Sequence, residues 1–517
     1  MLHMYSIPLV TSLAFVIFLF YRRLRNSFGL GSLPFPPGPK GLPLIRNLWD
    51  IPTEHQWLTY SRWSATYGDV LFLNSPGNKT IVLNSSQAAT ELLEKRSGNY
   101  SDRPDLNMMN LTGWNFSLAF MRYSDRTHRR MFHQYFQPRA ILAYYPVQTK
   151  ATLVLLQQLL KSPDECFHHV RHHAGSIIMK TVYGYDVEPN GDRFVHLADQ
   201  ALTSIRVAGA EGTFLVDYLP ILKYIPDWFP GAKFKKLAQT WSKDVEDMKE
   251  EPFKYASESL ANGIASPSFV SENLKRLKET RPSDYEAQTE IIKNAAGVAF
   301  GAGADTTVST VLSAILAFVL YPEVLVKAQA ELDAVVGQSR LPNFDDRPQL
   351  PYIEAVLYEA LRWNPVVPLS IPHRSVKDDV YKGYYIPAGA TIIANTWAIL
   401  HNEKDYPGTL KFNPERFIKQ EGKELPPDPM AAFGYGRRIC PGRYLALNTA
   451  WIAIAYIAST LSVTKAAGSD GQLIEPSDTF SGGFLSLPLS FKCSFKARSA
   501  QAQELIDSEF GIAMGGN

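Results

Sequence analysis

Cys440 lies in the run Phe433-Gly434-Tyr435-Gly436-Arg437-Arg438-Ile439-Cys440-Pro441-Gly442, a glycine-rich loop that leads into an apolar, helix-forming stretch at 444–459. Glycines such as Gly434 and Gly436 permit tight turns and close approach of backbone to a ligand. A thiol near a helix N-terminus meets unpaired N–H groups and the positive end of the dipole, which favour thiolate. Arg438 adds a cation suited to a carboxylate. On these residues alone Cys440 is either a thiolate ligand or a buried, inert cysteine. A second constellation is Ala302-Gly303-Ala304-Asp305-Thr306-Thr307, inside the apolar stretch 295–320 whose only charge is Asp305. Thr306 can bond back to the carbonyl one turn earlier and bend its helix. The small residues beside it leave a groove, where Asp305 and Thr306 can relay protons to a bound ligand. A buried core helix or a second membrane span are the alternatives, the span at the cost of a carboxylate in its middle. A third set is Glu359-Ala360-Leu361-Arg362 with Arg416 of Asn413-Pro414-Glu415-Arg416-Phe417. Glu359 and Arg362 share a helix face, and their apolar neighbours imply partial burial.

These residues need elements to position them. Helical patterns dominate, as over 324–335 and 352–363, and strand-like pieces are short: 70–73, 80–83, 384–386 and 391–394. The β-rich stretches come early and late around a long helical middle. The expected fold is therefore mainly α with small β-sheets, in a single large domain. Pro34-Phe35-Pro36-Pro37-Gly38-Pro39 is expected to be a stiff, extended spacer. Ahead of it, residues 4–21 carry no charge and Arg22, Arg23 and Arg25 follow. That length is at the lower edge of the ~17–25 residues a membrane-spanning helix needs, and the basic flank places the rest of the chain in the cytosol. A cleavable signal peptide would carry its basic residues first. The expected organisation is a transmembrane anchor at 1–21, a basic and Pro-rich linker at 22–43, a catalytic domain at 44–500 and a C-terminal tail at 501–517. In the cytosol the Asn-x-Ser/Thr sites at Asn78, Asn84, Asn99, Asn110 and Asn115 stay unglycosylated.

Composition narrows the function classes. Of 517 residues, 45% are hydrophobic and 20% charged, with 52 basic against 50 acidic side chains. No basic run reads as a nucleic-acid arm, so no nucleic-acid partner is expected. Three cysteines, Cys166, Cys440 and Cys493, do not look like a disulfide framework and fit a reducing compartment. A further apolar stretch at 216–229 is interrupted by Pro220 and Pro226; it either dips into a membrane interface or packs as a loop on the core. His168, His169, His172 and His173 have the spacing of zinc or copper ligands, but without an obvious further ligand they read as histidines on a solvated helix.

The loop 433–442 resembles the haem-binding loop of cytochromes P450, Phe-x-x-Gly-x-Arg-x-Cys-x-Gly, at every defined position. The resemblance implies that Cys440 is the axial thiolate on the iron of haem b, that Arg438 pairs with a propionate, and that Phe433 shields the sulfur. A thiolate pushes electron density toward iron and favours O–O cleavage. The 302–307 run is similar to the family's oxygen-activation motif, and the Glu359, Arg362 and Arg416 pieces to its fold-stabilising triad. Pro372-His373-Arg374 resembles the strand that lends a basic side chain to a propionate, with either His373 or Arg374 facing the haem. One segment departs from the family pattern. Tyr123-Ser124-Asp125-Arg126-Thr127-His128-Arg129-Arg130 lacks two residues, a propionate-binding Trp among them, and Arg126, His128 and Arg130 are the candidates to compensate.

By the same resemblance the reaction is monooxygenation of a lipophilic small molecule, in the manner of fungal microsomal members of secondary metabolism. The implied site is the endoplasmic reticulum membrane, spanned once, with electrons from a separate NADPH-dependent reductase. The substrate pocket is expected to draw on 106–120, 298–302, 366–371 and 481–485. Alternatives are a haem-thiolate isomerase or dehydratase that does not use dioxygen, and an inactive haem-binding paralogue.

Overall fold

The computed structural model describes residues 33–123, 127–189, 191–209 and 212–515. The expected anchor, the first half of the linker, and Ser124, Asp125 and Arg126 of the departing segment lie outside the described residues. The longer helices are α1 (Gln56–Tyr67), α2 (Thr127–Phe136), α3 (Tyr145–Lys161), α4 (Cys166–Tyr183), α5 (Arg193–Ala208), α6 (Lys233–Ala261), α7 (Phe269–Thr280), α8 (Tyr285–Leu320), α9 (Pro322–Val335), α10 (Pro351–Trp363), α11 (Arg443–Thr460) and α12 (Ala500–Gly515).

Helix α8 is the spine. Its 36 residues span roughly 54 Å at 1.5 Å per residue. From Ala295 on it is almost wholly apolar, and a helix segment of that kind must be buried on every side. It packs against α4, α6, α7, α10 and α11, and 78% of its most apolar 18-residue window is buried inside the protein. The stretch 295–320 is thus a core helix and not a second membrane span. Proline at the first turn starts α9 and α10, where its missing N–H has no intrahelical partner to lose.

Among the described residues the strands form three small sheets. β1 (Val70–Ser75) pairs antiparallel with β2 (Asn78–Leu83), β2 parallel with β6 (Thr391–Ala394), and β6 antiparallel with β3 (His373–Arg374). β4 (Asp379–Tyr381) and β5 (Tyr384–Ile386) make a hairpin in which Tyr381 faces Tyr384. Its two-residue turn has Lys382 at φ 51° and Gly383 at φ 80°, the left-handed pair that matches strand twist. β7 (Leu461–Lys465) and β8 (Cys493–Ala497) form the third, C-terminal hairpin.

Two apolar stretches differ from expectation. Residues 216–229 divide between the two readings: Val216 and Tyr218 are buried, whereas Ile221, Tyr224 and Trp228 are 73%, 76% and 80% exposed. The histidine helix α4 is not solvated: His169, His172 and His173 are buried and only His168 is exposed. The rings bond within the fold, His172 Nε2 to the Glu188 carbonyl at 2.9 Å and His173 Nε2 to Thr152 Oγ1 at 3.0 Å. Their polar spacing concealed the fact that α4 lies between α3 and α8.

Candidate active site

The cysteine loop is built from two short turns, Pro429–Phe433 and Gly436–Arg438, before α11 begins at Arg443. The Cys440 amide donates to the Phe433 carbonyl at 2.8 Å and closes the loop. Gly436 has φ 52°, and a Cβ there would stand 2.3 Å from the Leu93 carbonyl oxygen, so only glycine lets the loop approach that backbone. Burial pushes the Cys440 thiol up, while the amides of Gly442 and Arg443 and the charges of Arg129 and Arg443 oppose the rise. Burial outweighs the helix-terminus effect expected from sequence.

Cys440 and Phe433 line one wall of a cavity of about 280 Å³. Val298, Ala302 and Thr306 of α8 form the facing wall, joined by Leu118, Ala119, Val366, Val367 and Ile371. Three of the four expected pocket segments therefore contribute. The fourth, 481–485, does not line the cavity. It packs on the end of α5 instead, with the Phe484 amide bonded to the Arg206 carbonyl at 3.4 Å and the Phe484 ring against Gly209.

Basic groups converge on the same cavity without an acidic side chain in its lining. Arg103 is 4% exposed, donates to the Ile371 and Pro372 carbonyls at 2.7 Å, and has no hydrogen-bond partner for Nε among the described residues. Burial, then repulsion by Arg438 and Arg129, holds its pKa well below the ordinary arginine value. Arg438 donates to the carbonyls of Ser101, Leu118 and Met121 at 2.7, 3.2 and 2.8 Å. Burial and Arg129 bring it down to about 10. Arg129 bonds the Ile439 carbonyl, and burial lowers its pKa too. His373 is buried with Nδ1 2.6 Å from the Tyr100 carbonyl, its pKa depressed by burial and by Arg103.

Of the pair left open by sequence, His373 lines the cavity and Arg374 does not; Arg374 lies 3.9 Å from Asp105, outside it. Arg130 is exposed on α2, and the neighbouring Arg129 takes the cavity position, because one residue turns a helix by about 100°. Sequence reasoning missed Arg103 and Arg129. The buried phase of α2, His128, Phe132 and Phe136, was the signal available for Arg129; nothing in the sequence around Arg103 marks it.

Asp305 and Thr306 face different neighbours. Thr306 lines the cavity, and its Oγ1 donates to the Ala302 carbonyl at 2.8 Å. Asp305 is 1% exposed and is absent from the cavity lining. Its carboxylate is held by Arg206 at 2.9 Å and Arg171 at 3.8 Å, so the sequence expectation of two groups sharing one groove is corrected. Arg206 also pairs with Asp199 at 2.9 Å. Burial works against its charge, but the two carboxylates raise its pKa overall.

Away from the cavity, Glu359 accepts from Arg362 at 2.7 and 2.8 Å and lies 3.1 Å from Arg416. Glu359 and Arg362 are both 0% exposed. The Asn413 amide completes the carboxylate's partners at 2.8 Å, tying α10 to the 414–417 turn.

A family model described as Cytochrome P450 matches residues 36–495. The chain belongs to the cytochrome P450 family. It is 43% identical to a cytochrome P450 monooxygenase of Armillaria gallica, over 94% of this chain and 96% of that protein. It is 41% identical to cytochrome P450 monooxygenase 98 of Postia placenta, over 92% and 93%, and 40% identical to tryptamine 4-monooxygenase of Psilocybe cyanescens, over 98% and 100%. This P450 is thus an enzyme of the monooxygenase class, and its family implies a haem-thiolate cofactor. The residues present fit such a group: one thiol shares a cavity lined largely by small and apolar residues, and the cations Arg103, Arg129 and Arg438, with no carboxylate in that lining, match a buried dianion.

Proposed function

We propose that this P450 binds haem b through the Cys440 thiolate and inserts one oxygen atom from dioxygen into an uncharged, lipophilic small molecule of fungal secondary metabolism. The observation that carries the reading is that Cys440 and Thr306 line one mainly apolar cavity that three arginines also reach and no carboxylate does. Bound there, the haem supplies the reductive splitting of dioxygen, and ligation to iron keeps the sulfur deprotonated against the burial that otherwise protonates it. Arg438, Arg103, Arg129 and His373 line the cavity and would hold the propionates, each by a charge-assisted bond in a dry site. Phe433 and Gly436 shape the loop around the sulfur, and Glu359, Arg362 and Arg416 keep the helices behind it in place. Thr306 brings its Oγ1 to the cavity lining, and that hydroxyl would have to turn from the Ala302 carbonyl to donate there. For Asp305 to supply that site, its carboxylate would have to leave Arg206, take up a proton from solvent and then pass one toward Thr306. Val298, Ala302, Val366, Val367 and Ile371 exclude water and orient the substrate by shape.

Electrons come from a separate NADPH-dependent reductase. The anchor at 1–21 and the exposed Ile221, Tyr224 and Trp228 hold the catalytic domain at the cytosolic face of the endoplasmic reticulum membrane, where a lipophilic substrate concentrates. The test is turnover under ¹⁸O₂ in membranes with reductase and NADPH, against a panel of apolar small molecules. The reading expects a product carrying one ¹⁸O, and in Thr306→Ala continued NADPH consumption with several-fold less product. Products without ¹⁸O, formed without NADPH, would instead point to isomerase or dehydratase chemistry.

A further inference from the structure

Cys166 and Cys493 are 327 positions apart in sequence, yet they meet. Cys166 is the first residue of α4 and Cys493 the first residue of β8. They are 2% and 3% exposed and belong to one hydrophobic core. The turn just before α4, Pro163–Glu165, packs on β8, the rings of the neighbouring Phe167 and Phe491 stand 5.1 Å apart, and the two thiols are near enough for Cys493 to act on the ionisation of Cys166. Both thiols are free. Two small apolar residues packed together is the plain alternative, but two neighbouring thiols on separate, packed elements are also the arrangement from which a disulfide closes. Cys440 lines the cavity and is not part of this pair.

We propose that Cys166 and Cys493 form a redox-responsive cross-link site that ties α4 to the C-terminal hairpin when a small-molecule disulfide such as oxidised glutathione accumulates. A transient opening of the hairpin deprotonates one thiol, which attacks the small disulfide and expels one small thiol. The second protein thiol then loses its proton and attacks the resulting mixed disulfide at the protein sulfur, expelling the other small thiol. Two protein thiols are oxidised to one disulfide, one small disulfide is reduced to two thiols, and no other reactant is needed. The hydrogen bond to Cys493, with burial, keeps the Cys166 thiol protonated and unreactive until that opening occurs. The link bears on the catalytic core. β8 follows the segment in which the Ser486 carbonyl accepts from Ser309 of α8 at 2.7 Å and the Ser486 hydroxyl donates to Asn364 at 2.7 Å. A cross-link therefore fastens two elements, α4 and this segment, that both lie on the spine helix.

The experiment treats the purified full-length holoenzyme with oxidised glutathione, alkylates residual thiols, and maps peptides without reduction. The expected result is a peptide pair joining Cys166 to Cys493, lighter by two hydrogens than the separate peptides. The unfolding temperature rises by a few degrees and returns to its starting value on reduction with dithiothreitol. Recovery of both residues as alkylated or singly glutathionylated thiols after denaturation overturns the proposal. In Cys493→Ser the same treatment is expected to give no cross-link and no rise in unfolding temperature; a rise equal to that of the wild type overturns it as well.

Discussion

Two groups of buried charge stand a short way apart in this molecule and differ in one respect. At Glu359 the guanidinia of Arg362 and Arg416 surround a carboxylate, with every bond between 2.7 and 3.2 Å. At the cavity, Arg103, Arg129 and Arg438 repel one another, and no carboxylate lines the site. Buried charge is tolerated when it is paired, and in the first group each guanidinium has a carboxylate partner within the chain. The second is complete only with an anion from elsewhere. A satisfied buried network serves the fold, and an unbalanced one marks where a ligand's charge belongs.

The comparison is broken most severely by Glu359→Ala, which strands two buried guanidinia. The expected cost is roughly 3–5 kcal/mol, read as loss of soluble folded protein or a large fall in the denaturation midpoint, with or without haem. Arg438→Leu removes an unpaired cation instead. Haem content per folded protein, measured by absorbance, is expected to fall about tenfold, the size of one charged hydrogen bond, while the haem-free protein is destabilised less than by Glu359→Ala, because the lost bonds to the Ser101, Leu118 and Met121 carbonyls are partly offset by relief of repulsion from Arg103 and Arg129. Equal destabilisation of the haem-free protein by both variants would erase the distinction.

An acid titration sharpens it further. Burial, reinforced by the charge of Arg362, holds the His401 pKa at about 3, whereas an unfolded histidine sits near 6.5. Protons therefore bind the unfolded chain preferentially between those values. Stability from this group is complete above about pH 6.5 and falls by about 1.4 kcal/mol for each unit below it. Thermal unfolding of His401→Gln between pH 7.5 and 5 should show a shallower acid limb than the wild type. The smallest effect belongs to Arg130→Ala, which should leave haem content unchanged, whereas Arg129→Ala, one residue away, should lower it. The reverse ranking would contradict the placement on α2.

Much of this was legible in the sequence because chemistry and periodicity coincide there. The strand pieces at 384–386 and 391–394 match β5 and β6, and the apolar period placed α9 and α10 to within two residues of their starts. Cys440, Phe433, Arg438 and Thr306 reach the cavity because a loop and one helix face suffice to position them. What the sequence did not reveal depends on the other side of an interface. Asp305 looked like a cavity residue until Arg206 and Arg171 of two neighbouring helices were seen to claim it. The histidines of α4 looked solvated because their partners, Thr152 and the Glu188 carbonyl, lie outside the helix. Arg103 carries no local pattern at all, since its role arises from where Arg129 and Arg438 arrive.

The central claim is that Cys440 ligates the iron of a haem in this cavity. The most direct measurement is the carbon monoxide difference spectrum of the reduced protein in membranes, for the wild type and Cys440→Ser. The account predicts a Soret band red-shifted to the thiolate position in the wild type and its loss in the variant at equal expression. The same red-shifted band in Cys440→Ser, or its absence from well-expressed wild type, would contradict it.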